Sequence, residues 1–187
     1  MPVVCETPRL ILREFTPEDL DALVALDADP AVMHFINGGR PTPRSEMESD
    51  ILPAFLAYHR RPGGYGFFAA VEKESGSFIG WFHLRPPTGG APDDPELGYR
   101  FVRSAWGNGY ATEGARALID RAFAELGANR VHAEAMAVHT ASRAVMERAG
   151  LRFVRLFHQD WPDRIPGDEE GDVEYALTRE EWLAERG

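Results

Sequence analysis

Two glycines one residue apart, Gly107 and Gly109, stand between a β-type run, Glu96–Arg103, and the longest helical pattern of the chain, which opens at Tyr110. A strand that runs through a short loop straight into a helix leaves the first N–H groups of that helix unpaired at its positive dipole end, and this is an anion site. Glycine lets the backbone approach a phosphate because no Cβ stands in the way. Taken alone, the segment reads either as a pyrophosphate cradle or as a tight strand–helix turn. Two better-known phosphate loops are excluded. The dinucleotide fingerprint needs a third glycine at position 112, where Thr112 stands, and the P-loop needs Lys and Ser/Thr after Gly114, where Ala115-Arg116 follow. Neither a nicotinamide dehydrogenase nor an NTPase is supported.

The elements that must position this loop are legible from periodicity. Arg9–Phe15 reads as a first strand, and Thr16-Pro17-Glu18-Asp19 as a helix start with a hydroxyl cap, a proline and first-turn acids. A short piece follows to Ile36 and ends at Asn37-Gly38-Gly39. Ser45-Glu46-Met47-Glu48 has capping-box form and opens a helix to Arg60 that Pro53 kinks or splits. Gly66–Glu72 and Ser77–Leu84 form a hairpin, Arg85–Pro95 a surface loop, and Glu96–Arg103 the third strand of that meander. Then come the helix from Tyr110, stopped by Gly127, the strand Asn129–Val138, the helix Thr140–Arg148 and the strand Leu151–Gln159. An acidic loop, Asp160–Asp172, the strand Val173–Leu177 and a helix around Glu180–Glu185 complete the order. This is a mixed α/β (α+β) single domain over residues 1–187, with a central sheet of about seven strands.

Composition narrows the class. The chain of 187 residues carries 20 basic and 30 acidic side chains, a formal charge of −10 that argues against nucleic-acid binding and leaves room for a cationic substrate. Of the basic residues only Lys73 is lysine, which reads as codon bias without functional weight. The lone Cys5 excludes an intrachain disulfide framework and a cysteine zinc site. His34, His59, His132 and His158 show no ligand spacing, so no metal is expected. No apolar run spans a bilayer and no signal peptide is visible, so the expectation is a cytoplasmic protein without membrane partners.

Three stretches carry a resemblance. Arg103–Gly114, with its run Trp106-Gly107-Asn108-Gly109-Tyr110-Ala111-Thr112-Glu113, resembles the acetyl-CoA pyrophosphate loop of the GNAT superfamily of N-acetyltransferases. It is most similar to the branch of ribosomal-protein N-terminal alanine acetyltransferases. His139–Phe153 resembles that family's Asn-x-x-Ser motif with its amphipathic helix and Gly-Phe ending, and Thr7–Arg13 resembles the branch's first strand. Residues 7 to 157 are covered in the family's order. Departures are His139 for the asparagine, Leu151 for the phenylalanine, Ser104 where Gln or Arg is common, and Met146 where many relatives carry a tyrosine as general acid.

The resemblance implies a GNAT fold and direct attack of an amine on the acetyl thioester in a ternary complex, without metal. It assigns the cofactor contacts to Phe101, Val102, Arg103, Gly107, Asn108, Gly109, Tyr110, Ala111, Thr112, His139 and Ser142. A backbone N–H of Phe101 or Val102 would polarise the thioester carbonyl. With Met146 unable to give a proton, Ser142 is the catalytic donor; its other reading is a helix cap. Glu96 is the catalytic base, directly or through water, against a plain role as a charged strand end. His83 is a second base candidate. Glu113 is explained by the helix dipole alone. Met33–Gly39, Ser45–Arg60, Trp81 and the acidic loop would line the acceptor side, for a peptide N-terminus, polyamine or aminoglycoside, and a homodimer is left open. The rival from another class is a non-catalytic acyl-CoA-binding sensor.

Overall fold

The computed structural model describes residues 2–160 and 163–186. Eight strands form one sheet: β1 Val3–Glu6, β2 Leu10–Glu14, β3 Gly66–Glu72, β4 Phe78–Arg85, β5 Glu96–Phe101, β6 Arg130–Met136, β7 Arg152–Phe157 and β8 Asp172–Thr178. Their order across the sheet is β1-β2-β3-β4-β5-β6-β8-β7. The expected count of about seven is corrected by β1, a short edge strand paired antiparallel with β2. Its apolar pair Val3-Val4 is too brief to give a period, and only its neighbour makes it a strand.

The helices are α1 Leu20–Asp27, α2 Pro30–Asn37, α3 Arg44–Glu46, α4 Leu52–Tyr58, α5 Tyr110–Ala124, α6 Thr140–Arg148 and α7 Arg179–Ala184. Between α3 and α4 lies a π turn, Met47–Ile51, immediately ahead of Pro53. Proline lacks the N–H that a continuous helix needs and crowds the preceding turn, so the single expected helix is split there. The expected short piece after α1 is a full helix: the Asp29 side chain accepts from the Ala31 N–H and Gly38 takes the left-handed C-cap.

Each sheet face buries its own core. Leu97, Phe101, Phe82, Val131 and Ala133 pack with Ala115, Leu118 and Met146 of α5 and α6, while Ala69 and Trp81 pack with Leu23, Leu26 and Phe55 of α1 and α4. Period-two alternation therefore sends Leu97, Tyr99 and Phe101 of β5 toward α5 and α6, and Glu96, Gly98 and Arg100 toward the opposite face.

Every neighbouring pair in the sheet is antiparallel except β5 and β6, which are parallel and share a single bridge, Glu96 with His132. Beyond it the two strands diverge. The sheet thus holds a split, closed at the start of β5 and open toward the loop that enters α5.

Candidate active site

The glycine loop lies at the open end of this split. Gly107 and Gly109 have φ of 74° and 80°, the left-handed region that glycine adopts without strain, and a Cβ on Gly107 would meet nothing within 4 Å. Gly109 is the N-cap of the fifteen-residue α5, so the N–H groups of Tyr110, Ala111 and Thr112 converge at a positive helix end. The Asn108 side-chain amide donates to the Ser104 and Trp106 carbonyls and stiffens the loop, while Arg103 and Ser104 stay exposed. A turn that lacks Cβ atoms at Gly107 and Gly109 and leads into the free first N–H groups of α5 fits the pyrophosphate of an acyl-CoA.

Sequence reasoning missed what fixes the loop. Glu113 accepts from the Thr7 hydroxyl at 2.6 Å, the Arg9 N–H at 2.9 Å and Arg9 Nε at 2.7 Å. Burial pushes its carboxyl up, but these donors outweigh burial and hold it below the usual range. Arg9 also donates to the Asn108 carbonyl at 2.9 Å and lies over the Tyr110 ring, bringing a cation to the mouth of the anion site. The Tyr110 hydroxyl is engaged with Glu72, so Tyr110 faces the cradle only through its backbone. A dipole argument sufficed for an acid at 113; its partners 104 and 106 residues away had no local signal.

Along the split, the two expected carbonyl donors separate. The Val102 N–H donates to the Ile79 carbonyl at 3.0 Å and is spent on the β4 ladder, which corrects the expectation for that residue. Alternation turns the Phe101 N–H the other way, toward the gap. The Phe101 carbonyl on that side accepts from Trp106 Nε1 at 2.9 Å.

On the acceptor face the two rival bases lie together. His83 Nε2 is 3.6 Å from Glu96 Oε1, just beyond hydrogen-bond length, is buried, and has no other partner among the described residues. Gly98, directly across the ladder from His83, makes this possible: a Cβ there would sit 2.4 Å from His83 Cε1. Burial pushes the Glu96 carboxyl up, while His83, Arg85 and His132 outweigh burial and hold it below the ordinary carboxylate range. Glu134, two residues beyond the bridge on the same face, is shifted the opposite way by burial and by the charges of Glu96 and Glu174. Arg100 donates to the buried Asp27 at 2.6 Å and lies against Trp81, tying β5 to α1.

Across the split, the Tyr99 hydroxyl donates to the Ser142 carbonyl at 2.9 Å and is 3.1 Å from Ser142 Oγ. Burial, only partly offset by Ser142, pushes this phenol up to about 12. Alternation with Leu97 and Phe101 was the available signal for Tyr99. Met146 is buried in the core. His139 precedes α6 and stacks on Phe35 of α2 at 4.0 Å and 19°; burial, then His34, lower it to about 4, so the ring is neutral at physiological pH.

The acidic loop is less free than its charge suggests. Asp163 pairs with Arg40 at 2.6 Å, Asp168 pairs with Arg164, and Asp172 is buried in β8. Trp161 and Pro162 lie outside the described residues. Ile165 lies beside the end of α2, where a Cβ on Gly38 would sit 3.3 Å from Ile165 Cγ2. Among the described residues no group of three His, Cys, Asp or Glu could hold a metal, and no helix is long and apolar enough to cross a membrane. A cavity of about 360 Å³ lined by Tyr58, Pro62, Tyr65, Pro92 and Leu126 is formed by the loops entering β3, β5 and β6, and contains none of the site residues.

A split mixed sheet with an anion cradle at its mouth, a carboxylate beside an imidazole on one bank and a hydroxyl on the other has the layout of an acyl-group transferase. The chain belongs to the GNAT family: the model of the acetyltransferase (GNAT) domain matches residues 9–152. It is 40% identical over 183 residues to FsC-acetyl coenzyme A-N(2)-transacetylase of Aspergillus fumigatus, covering 95% of this chain and 77% of that protein. Among solved structures, an acetyltransferase from Agrobacterium tumefaciens is 26% identical with a TM-score of 0.72, covering 95% of each chain. The ribosomal-protein N-acetyltransferase RimL, in complex with coenzyme A, shares the fold with a TM-score of 0.76 at 19% identity, covering 95% of this chain and 98% of that one.

Proposed function

We propose that this chain transfers the acetyl group of acetyl-CoA to a primary amine of a small molecule, with both substrates held at once across the β5–β6 split. The single bridge between β5 and β6, with the Gly107–Gly109 cradle at the open end, is the observation that carries this reading. The cradle N–H groups and Arg9 hold the pyrophosphate, and the arm runs into the split past His139 and Ser142. The Phe101 N–H polarises the thioester carbonyl where negative charge develops. Glu96, ionised beside His83, takes the proton of the incoming ammonium directly or through water. Ser142 gives a proton to the departing thiolate. Each of these roles is assigned to a residue of the chain, and none draws on a metal.

For the acceptor, the Aspergillus fumigatus relative is named for N(2) transfer, and the carboxylates Glu96 and Glu134 on the open face of β5 and β6 favour a cation, whereas Glu174 beside them is paired with Arg130 and Arg155. A small N(2)-type amine is therefore preferred to a protein N-terminus. The sensor reading is not favoured: it gives no reason for a carboxylate–imidazole pair on one face of β5 and a hydroxyl pair on the other.

The test is thiol release from acetyl-CoA with a panel of N(2) amines, polyamines, aminoglycosides and peptide N-termini, in excess chelator. Amine-dependent release with the highest kcat/KM for small N(2) amines is expected. A preference for peptide N-termini overturns the acceptor class. Stoichiometric acetyl-CoA binding without release for any amine restores the sensor reading.

A further inference from the structure

Ser142 is the third residue of α6, and a serine inside a helix ordinarily turns its hydroxyl back onto a carbonyl three or four residues earlier. In that rotamer it is spent and cannot serve a ligand. In this structure Ser142 Oγ lies 3.1 Å from the Tyr99 hydroxyl oxygen, and the same phenol donates to the Ser142 carbonyl at 2.9 Å. Either hydroxyl of the pair can donate; with the phenolic proton shared between the Ser142 carbonyl and Oγ, the serine O–H is left free to turn into the split. Both contacts bridge the split, from β5 to α6, between residues 43 apart in sequence. The Tyr99 ring has little freedom: it packs edge-on against Phe82 with centroids 6.2 Å apart and lies against the core formed by Leu97 and Phe101. Glu96 and His83 sit on the opposite face of the sheet, so the phenol serves the donor side of the reaction alone.

We propose that Tyr99 is the positioning residue for Ser142, holding its hydroxyl in the split so that its proton reaches the sulfur of the leaving thiol. This rests on the acetyl-transfer reading above. In the step it governs, the C–S bond breaks, sulfur keeps the electron pair and takes the Ser142 Oγ proton, and Oγ recovers a proton from solvent. Tyr99 keeps its own proton throughout. It sets where the donor is, and so acts on the chemical step rather than on cofactor affinity.

The experiment is a double-mutant cycle. Tyr99→Phe removes only the hydroxyl; kcat is expected to fall about tenfold while KM for acetyl-CoA stays within about twofold. Ser142→Ala is expected to fall at least as far, and Tyr99→Phe with Ser142→Ala no further than Ser142→Ala alone. Tyr99→Leu, which also removes ring packing, should lower the melting temperature as well as kcat. Multiplicative losses in the double variant, or losses in Phe and Leu that simply follow melting temperature, would make Tyr99 a packing residue and overturn the proposal. A silent Ser142→Ala overturns it too, since no donor is then left to position. If the wild type transfers to no amine, both the proposal and the acetyl-transfer reading fall; an active wild type with multiplicative losses sinks only the former.

Discussion

Glu96→Gln keeps the shape of the side chain at the start of β5 but removes its charge and its ability to take a proton. The carboxylate lies 3.6 Å from His83 Nε2 and 3.9 Å from Arg85, and its side chain is 26% exposed. An ammonium brought to about 4 Å from it gains about 4 kcal/mol at an effective dielectric near 20. Screening through the open side of the cleft cuts this to about 2 kcal/mol, or about thirtyfold in kcat/KM for the acceptor. Loss of general-base action lowers kcat by about 10²-fold or more. The pH dependence separates the two effects. Because the Glu96 carboxyl is held below the ordinary range, it is ionised throughout an assay from about pH 6 to about pH 9. If Glu96 is the base, the variant depends on free amine already present. Its rate then climbs about tenfold per pH unit up to the amine's own pKa, and the deficit closes. Steady-state thiol release with saturating acetyl-CoA reads this directly. A deficit that stays constant over the whole range would refute the base role and leave Glu96 as an ammonium partner. His83→Gln is the control, and a larger loss there than in Glu96→Gln at every pH moves the base to His83.

Two further outcomes follow from the cradle and the stacked histidine. Gly109→Val places a β-branched residue at φ 80°, which costs about 2 kcal/mol and lowers the melting temperature by about 4–8 °C. Acetyl-CoA affinity measured by calorimetry should fall by more than about 100-fold because the side chain fills the phosphate site, and normal binding would place the cradle elsewhere. His139→Asn tests the half-buried imidazole: its folded pKa of about 4 lies below the ordinary imidazole value of about 6.5, so the unfolded chain binds the proton first as pH falls. Stability from this group is full above about pH 6.5 and drops by about 1–3 kcal/mol toward pH 4, discounted for partial exposure. Melts at about pH 7.5 and about pH 5 should show a smaller pH-dependent loss in the variant than in the wild type, and equal losses would reject the assignment.

What the sequence determined by itself is the part governed by neighbours along the chain. The two glycines ahead of Tyr110, the Thr16-Pro17 helix start and the alternation of β5 are local preferences of backbone and side chain, and each folds as its residues dictate. The same locality explains the misses. Val3–Glu6 has too few residues to show a period and becomes a strand only against β2. Val102 loses its N–H to Ile79 because the β4–β5 register sends it that way, a fact no single strand contains. Glu96 and His83 read as separate candidates, 13 positions apart, until the hairpin register and the missing side chain of Gly98 bring them to 3.6 Å. The acids of the 160–172 loop read as one charge field, yet Asp163 and Asp168 are spent on Arg40 and Arg164. Tyr99 with Ser142, and Glu113 with Thr7 and Arg9, were invisible for the same physical reason. A hydrogen bond between distant residues depends on strand order, register and the point where two parallel strands part, and those are properties of the assembled sheet rather than of any stretch of chain.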